Sequence, residues 1–156
     1  MFHRFSEKNE TSFRPTNTEC LMRQVTYPNF CKACLEGLWL SLLRHVNLID
    51  DVNEKCVWLS PSPASGRWKK TLEIQLVPLA HLRAEPVSTS EAFTIIWTKD
   101  GQVLEGFTNK TRIEIDHGKA LGIYRIHVEF ATEEVRKDPH GYLTSGREYV
   151  ISKRCE

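Results

Sequence analysis

The stretch Tyr124-Arg125-Ile126-His127-Val128-Glu129-Phe130 decides the fold class. Apolar residues fall at every second position with polar ones between, the period of a strand that has one buried and one solvated face. Working outward, the same period recurs. Leu72, Ile74 and Leu76 alternate with Glu73 and Gln75, and Phe93, Ile95 and Trp97 alternate within AFTIIWTK. Asp100-Gly101 supplies a tight hairpin turn into Gln102-Val103-Leu104. Ile113 and Ile115 continue the pattern, and Glu148 to Ile151 forms a last strand after the turn-rich Lys137-Asp138-Pro139-His140-Gly141. Short strands at this spacing, polar on one face, predict an antiparallel sandwich.

Trp97 ahead of the Lys-Asp-Gly turn, followed later by Gly122-Ile123-Tyr124, resembles an immunoglobulin-like (Ig-like) domain. The usual inter-sheet disulfide of that family is missing, because no cysteine lies between Cys56 and Cys155. Before the sandwich the period is helical. Cys31, Cys34, Leu35, Leu38, Trp39, Leu42, Leu43 and Val46 place one wide apolar stripe on a helix, so a long, core-facing helix is expected over Cys31–Val46. Asn29 is its natural N-cap, and Gly37 inside it implies a close packing partner. Residues 1–19 read as loop. Asp50 and Asp51 suit the turn that leaves the helix rather than its C-terminus. Ser60-Pro61-Ser62-Pro63-Ala64-Ser65-Gly66 reads as a linker. The expected class is therefore α+β, mostly β: an N-terminal loop and one long helix over 1–52, then an antiparallel β-sandwich over 53–156.

A chain of 156 residues with a net charge of +1 gives no electrostatic reason to expect nucleic acid or an anionic membrane as partner. No apolar run is long enough to span a bilayer, and MFHRFSEKNETSFRP lacks the apolar core of a signal peptide. The cysteines point elsewhere. Cys20, Cys31, Cys34, Cys56 and Cys155 sit mostly at element boundaries, where bridges staple structure. Cys56 opens the second half and Cys155 nearly ends it, which suggests a clasp. An odd count leaves one thiol free or bonded outside the chain. The sequons Asn9-Glu10-Thr11 and Asn109-Lys110-Thr111 fit glycosylation of a secreted, extracellular protein.

The stretch PTNTECLMRQVTYPNFCKACLEGLW, residues 15–39, resembles the C-terminal end of the catalytic domain in zinc metallopeptidases of the IgA-peptidase type, a metzincin-like group. The resemblance implies that Met22 is the methionine of a turn beneath the zinc and that Cys31 to Val46 is the helix closing the domain. It implies that Arg23 to Pro28, with Arg23, Val25 and Tyr27 foremost, line the floor of the substrate cleft. The chemistry implied is attack of a zinc-activated water on a peptide carbonyl, with a protein or peptide as substrate. No His-Glu-x-x-His occurs in this chain, so the zinc ligands and the general base would lie upstream of Met1. The parent would carry Zn2+; this chain would bind none and would not hydrolyse peptides alone. The other function expected is an extracellular Ig-like binding or adhesion module without catalytic activity.

Two motifs have plainer readings. Cys31-x-x-Cys34 at a helix start has the spacing of a redox dithiol, but lacks the βαβ context, so structural bridging is expected. The same pair is half a zinc site, with no second CxxC or histidine pair at ligand spacing to complete it. The charged residues between Glu129 and Lys137 read as a solvated hairpin end. No Gly-x-Ser-x-Gly elbow, phosphate loop or dinucleotide fingerprint is present.

Overall fold

The alternating segments are strands in the computed structural model, which describes residues 3–7, 10–14, 20–59, 66–79 and 90–155, the first two stretches as backbone alone. In chain order they are β1 (His3–Glu7), β2 (Glu10–Arg14), β3 (Ile49–Leu59), β4 (Arg67–Leu76), β5 (Ala92–Lys99), β6 (Gln102–Val103), β7 (Arg112–Asp116), β8 (Gly122–Ala131) and β9 (Thr144–Ile151). One α-helix among the described residues, α1 (Lys32–Leu43), lies between β2 and β3. Two compact units result: Met1–Val46 with Glu133–Tyr142, and Asn47–Thr132 with Leu143–Glu156. The units divide a few residues ahead of the 52/53 position expected from sequence, which falls inside β3.

The second unit is antiparallel β throughout, with a three-stranded sheet β3-β4-β7 and a four-stranded sheet β6-β5-β8-β9. It is a mostly-β, sandwich-like arrangement. Alternation along β8 does what its period requires: Tyr124, Ile126, Val128 and Phe130 are buried, while Ile123, Arg125, His127 and Glu129 are exposed. Leu72 and Ile74 on β4, Ile95 and Trp97 on β5, and Ile113 on β7 complete the core. Each large apolar side chain so buried stabilises the fold by about 1.5–3 kcal/mol. The polar tips of two core aromatics are satisfied. The Trp97 indole donates to the Lys110 carbonyl at 2.8 Å, and the Tyr124 hydroxyl donates to the Ala120 carbonyl at 2.8 Å.

The Asp100-Gly101 turn forms as expected, with both residues in the left-handed region at φ 49° and 85°. Asp100 also fixes the start of β8. Its N–H donates to the Ile123 carbonyl at 2.8 Å and its Oδ1 accepts the Ile123 N–H at 2.9 Å. Gly122, at φ +145°, is required there, because a Cβ would lie 2.6 Å from Asp100 Oδ2.

Among the described residues of this unit, the Lys70 cation is buried. Lys70 on β4 pairs with Glu54 on β3, and Glu54 also accepts the Tyr149 hydroxyl at 3.0 Å. Burial, and then the neighbouring Glu54 carboxylate, hold the Tyr149 pKa above its ordinary value, which keeps the phenol a donor. Lys70 Nζ also lies 3.6 Å from Cys56 Sγ. The clasp expected from sequence is present: Cys56 and Cys155 form a disulfide with Cα atoms 5.7 Å apart.

The region up to β3 departs from the sequence reading in several places. Residues 1–19 do not read as strands, yet β1 and β2 pair from His3↔Arg14 to Glu7↔Glu10. This hairpin is short and polar, so it lacks the apolar alternation that makes a strand legible. The helix is shorter than expected, at 12 residues, and its N-cap is Cys31 with no side-chain cap. Asn29 lies two residues ahead of that cap, and its backbone carbonyl accepts the Leu21 N–H at 2.9 Å. At the far end the Arg44 and His45 N–H groups bond back to Leu40 and Leu42, which closes the last turn. Asp50 and Asp51 then belong to β3 rather than to a turn.

The apolar stripe is only half used. Trp39 and Leu43 are buried, whereas Leu38 and Leu42 are 45% and 49% exposed, and nothing lies within 4 Å of a Cβ at Gly37. The segment expected to be a solvated hairpin end is instead held to α1. Glu36 accepts the Arg136 N–H at 2.7 Å, the Lys137 N–H at 3.0 Å and the Arg136 guanidinium at 2.6 Å. The Trp39 indole donates to Glu134.

Candidate metal centre

The segment from Cys20 to the first turn of α1 folds back on itself by local hydrogen bonds. The N–H groups of Arg23 and Gln24 donate to the Cys20 carbonyl at 3.0 and 2.9 Å, and Tyr27 donates to Gln24 at 2.9 Å. The Leu21 N–H reaches the Asn29 carbonyl at 2.9 Å and closes the loop at its base. That closure delivers Cys20 to the start of the helix. Cys31 and Cys34, one turn apart, share a helix face, because residues three apart are neighbours there. The three Sγ atoms therefore converge, all within 4.8 Å of one another, with Cys20 and Cys34 3.5 Å apart.

The surroundings of these sulfurs divide their acidities. The Cys31 N–H donates to Cys20 Sγ at 3.3 Å. That bond, offset in part by burial and helped by the Met22 N–H and the neighbouring thiols, lowers the Cys20 pKa to about 7. At neutral pH a large fraction of Cys20 is thiolate. Burial, followed by the thiol neighbours, pushes Cys34 up to about 12, so it stays protonated. The two share a hydrogen bond. Cys20 is buried at 1% exposure, while Cys31 and Cys34 are half-buried, so the site is covered but reachable.

Other residues singled out in the sequence stand apart from this trio. Met22, at the tip of the Cys20–Gln24 turn, is 70% exposed, and Val25 is 89% exposed. Arg23 is exposed and Tyr27 half-buried. Cys56 and Cys155 are consumed by their own disulfide. Asn109 is exposed with φ 59°, and its Oδ1 accepts the Ile95 N–H at 3.0 Å. Asn9 lies outside the described residues. Among the described residues the thiol trio is the group of three or more Cys, His, Asp or Glu side chains close enough to share an ion. Among the described residues no histidine belongs to such a group. No family model, curated protein or solved structure matches this chain.

Cys31-x-x-Cys34 was legible as half a zinc site. What the fold brings to the pair is not a second CxxC but a single cysteine, Cys20, which reaches it through the Leu21–Asn29 hydrogen bond. The available signal was the cluster of turn formers between them (Pro28 and Asn29), which lets the chain reverse within a few residues.

Proposed function

We propose that residues 1–46 are the closing segment of the catalytic domain of a secreted zinc metalloendopeptidase, and that the second unit is an Ig-like accessory domain beside it. The observation that carries this reading is the placement of Met22. Its turn is tied at Cys20 by two backbone hydrogen bonds and at Leu21 by a third, yet its side chain projects 70% exposed. A methionine held out on a fixed turn suits a floor for groups supplied by another segment, the role that the resemblance of residues 15–39 gives it. Val25, Leu38 and Leu42 extend the exposed apolar surface of the same unit, and surface of that kind marks a site where another part of a protein packs. In this reading Arg23, Val25 and Tyr27 line the cleft floor and α1 closes the domain. The chain supplies no zinc ligand or general base for peptide hydrolysis, so it positions and does not catalyse.

The Ig-like assignment rests on strand order and on two buried aromatics. Sheets β3-β4-β7 and β6-β5-β8-β9 pair strands in the order of such domains, Trp97 is buried on a central strand, and the Tyr124 hydroxyl reaches back to the carbonyl of Ala120. The second reading, an extracellular Ig-like binding module, is favoured by one feature. Ile123 and Val150 face each other across β8 and β9 and are 43% and 55% exposed.

The deciding experiment takes the natural transcript and its full translation product. The peptidase reading expects an in-frame His-Glu-x-x-His upstream of residue 1 and peptide hydrolysis that a zinc chelator abolishes. The chain of residues 1–156 alone is expected to be inactive. A natural product without that motif, inert toward peptides, would overturn the reading and leave the binding module.

A further inference from the structure

The geometry points to a non-catalytic metal site in this chain: Cys20, Cys31 and Cys34 are three thiolate ligands for a thiophilic closed-shell cation, Zn2+ in the first instance. All three ligands lie within residues 20–34, so this inference stands whether or not the peptidase reading does.

Three arguments carry it. The first is spacing. With Zn–S bonds of about 2.3 Å, tetrahedral geometry places sulfurs about 3.8 Å apart. The trio already lies within 4.8 Å, with one pair at 3.5 Å, so enclosing an ion asks for shifts of about 1 Å at most. The second is the hydrogen bond to sulfur. A metal-bound thiolate keeps excess charge, and the Cys31 N–H that points at Cys20 Sγ is the outer-shell donor that holds such a ligand in place. The third is number. A disulfide would use two of these sulfurs and leave the third stranded beside it, whereas one ion uses all three. The remaining coordination position is open to water or to a ligand from outside the chain. Soft sulfur donors select Zn2+ or Cu+ over Mg2+ and Ca2+.

Binding is a proton-coupled step. Each thiol loses its proton as the metal–sulfur bond forms, so up to three protons leave per ion and no electron moves. Affinity is therefore expected to rise with pH, because protons compete with the metal for the sulfurs.

The test uses the 156-residue chain, reduced, stripped of metal and titrated with Zn2+ against a chromophoric chelator. The expected result is one Zn2+ per chain, with Cys20, Cys31 and Cys34 shielded from thiol reagents until the metal is removed. Co2+ in place of Zn2+ should give thiolate-to-cobalt charge-transfer absorption, while Mg2+ and Ca2+ give nothing. Cys20→Ser, Cys31→Ser and Cys34→Ser should each weaken binding by more than the roughly 10–100-fold that loss of an outer-shell partner costs, and Arg44→Ala, exposed at the far end of α1, should leave it unchanged. Near-UV circular dichroism of each serine variant reports whether the fold survives; an unfolded variant is replaced by the alanine substitution at the same position. Three outcomes overturn the site: no Zn2+ taken up, binding unmoved by all three substitutions, or a Cys20–Cys34 disulfide recovered from chain kept in air with saturating Zn2+.

Discussion

Removing the Cys56–Cys155 bridge tests what holds the sandwich closed. The perturbation is Cys56→Ala together with Cys155→Ala. The bridge joins residues 99 apart in sequence, and the loop-closure relation for that separation gives about 4.7 kcal/mol of destabilisation at 25 °C. Two corrections act on it. Cys155 is 6% exposed, so its truncation also leaves a small void, while residual structure in the unfolded chain lowers the entropic part. Native bridges in small domains cost about 2–5 kcal/mol to remove, so a loss of at least about 2 kcal/mol is expected. The assay is urea unfolding of both proteins without reductant, followed by near-UV circular dichroism of the buried aromatics. The variant should also show a steeper denaturant dependence, because an uncross-linked chain exposes more surface when it unfolds. A loss below about 1 kcal/mol with an unchanged slope would refute the reasoning, and would mean the strand ladders alone set the closure entropy.

Three further outcomes follow from named contacts. Lys70→Met should cost about 2 kcal/mol, less than the 3–5 kcal/mol of a fully buried pair because the Glu54 side chain is 25% exposed, and adding Glu54→Gln should recover part of it in the same urea assay. Hydrogen bonds from the Arg136 side chain, then from the Lys137 and Arg136 backbones, hold the Glu36 pKa below its ordinary 4.5. The attachment of residues 133–142 to α1 should therefore be full above pH 4.5 and be lost as pH falls through that lowered value, with the acid step absent in Glu36→Gln; hydrogen-exchange protection of the Arg136 and Lys137 amides reads it. Gly122→Ala should destabilise by about 1–3 kcal/mol through its positive φ, and pairing it with Asp100→Ala should relieve the clash but not the backbone strain, so stability returns only in part.

How far the sequence was legible depended on whether a signal was local and one-sided. The strand β8 was readable because its period of two is driven by burial on one face alone, and each of its apolar residues from Tyr124 to Phe130 is buried. The Asp100-Gly101 turn was readable because only a few residue pairs tolerate left-handed backbone twice in succession. The helix was over-read for the opposite reason. A wide stripe counts apolar positions but cannot say which of them meet a partner, and here only the Trp39–Leu43 row does. Glu36 carried no signal in the sequence, because its partners, Arg136 and Lys137, are about a hundred positions away, where no periodicity can point.

The cysteines show most clearly how a local rule misses a convergence. Counting five sulfurs and pairing them leaves one over, and that arithmetic makes the odd thiol an accident. The fold divides them as two and three. Cys56 on β3 and Cys155 after β9 meet because ladder pairing brings distant strands together, so their bond could be guessed from their positions near the two ends of the sandwich. Cys20, Cys31 and Cys34 meet through one backbone hydrogen bond, Leu21 to Asn29, which reverses the chain over a few residues. The helix then starts with Cys31, not the expected Asn29, at its N-cap, which puts Cys31 and Cys34 on its first turn. The odd thiol of the count is thus the third corner of one cluster.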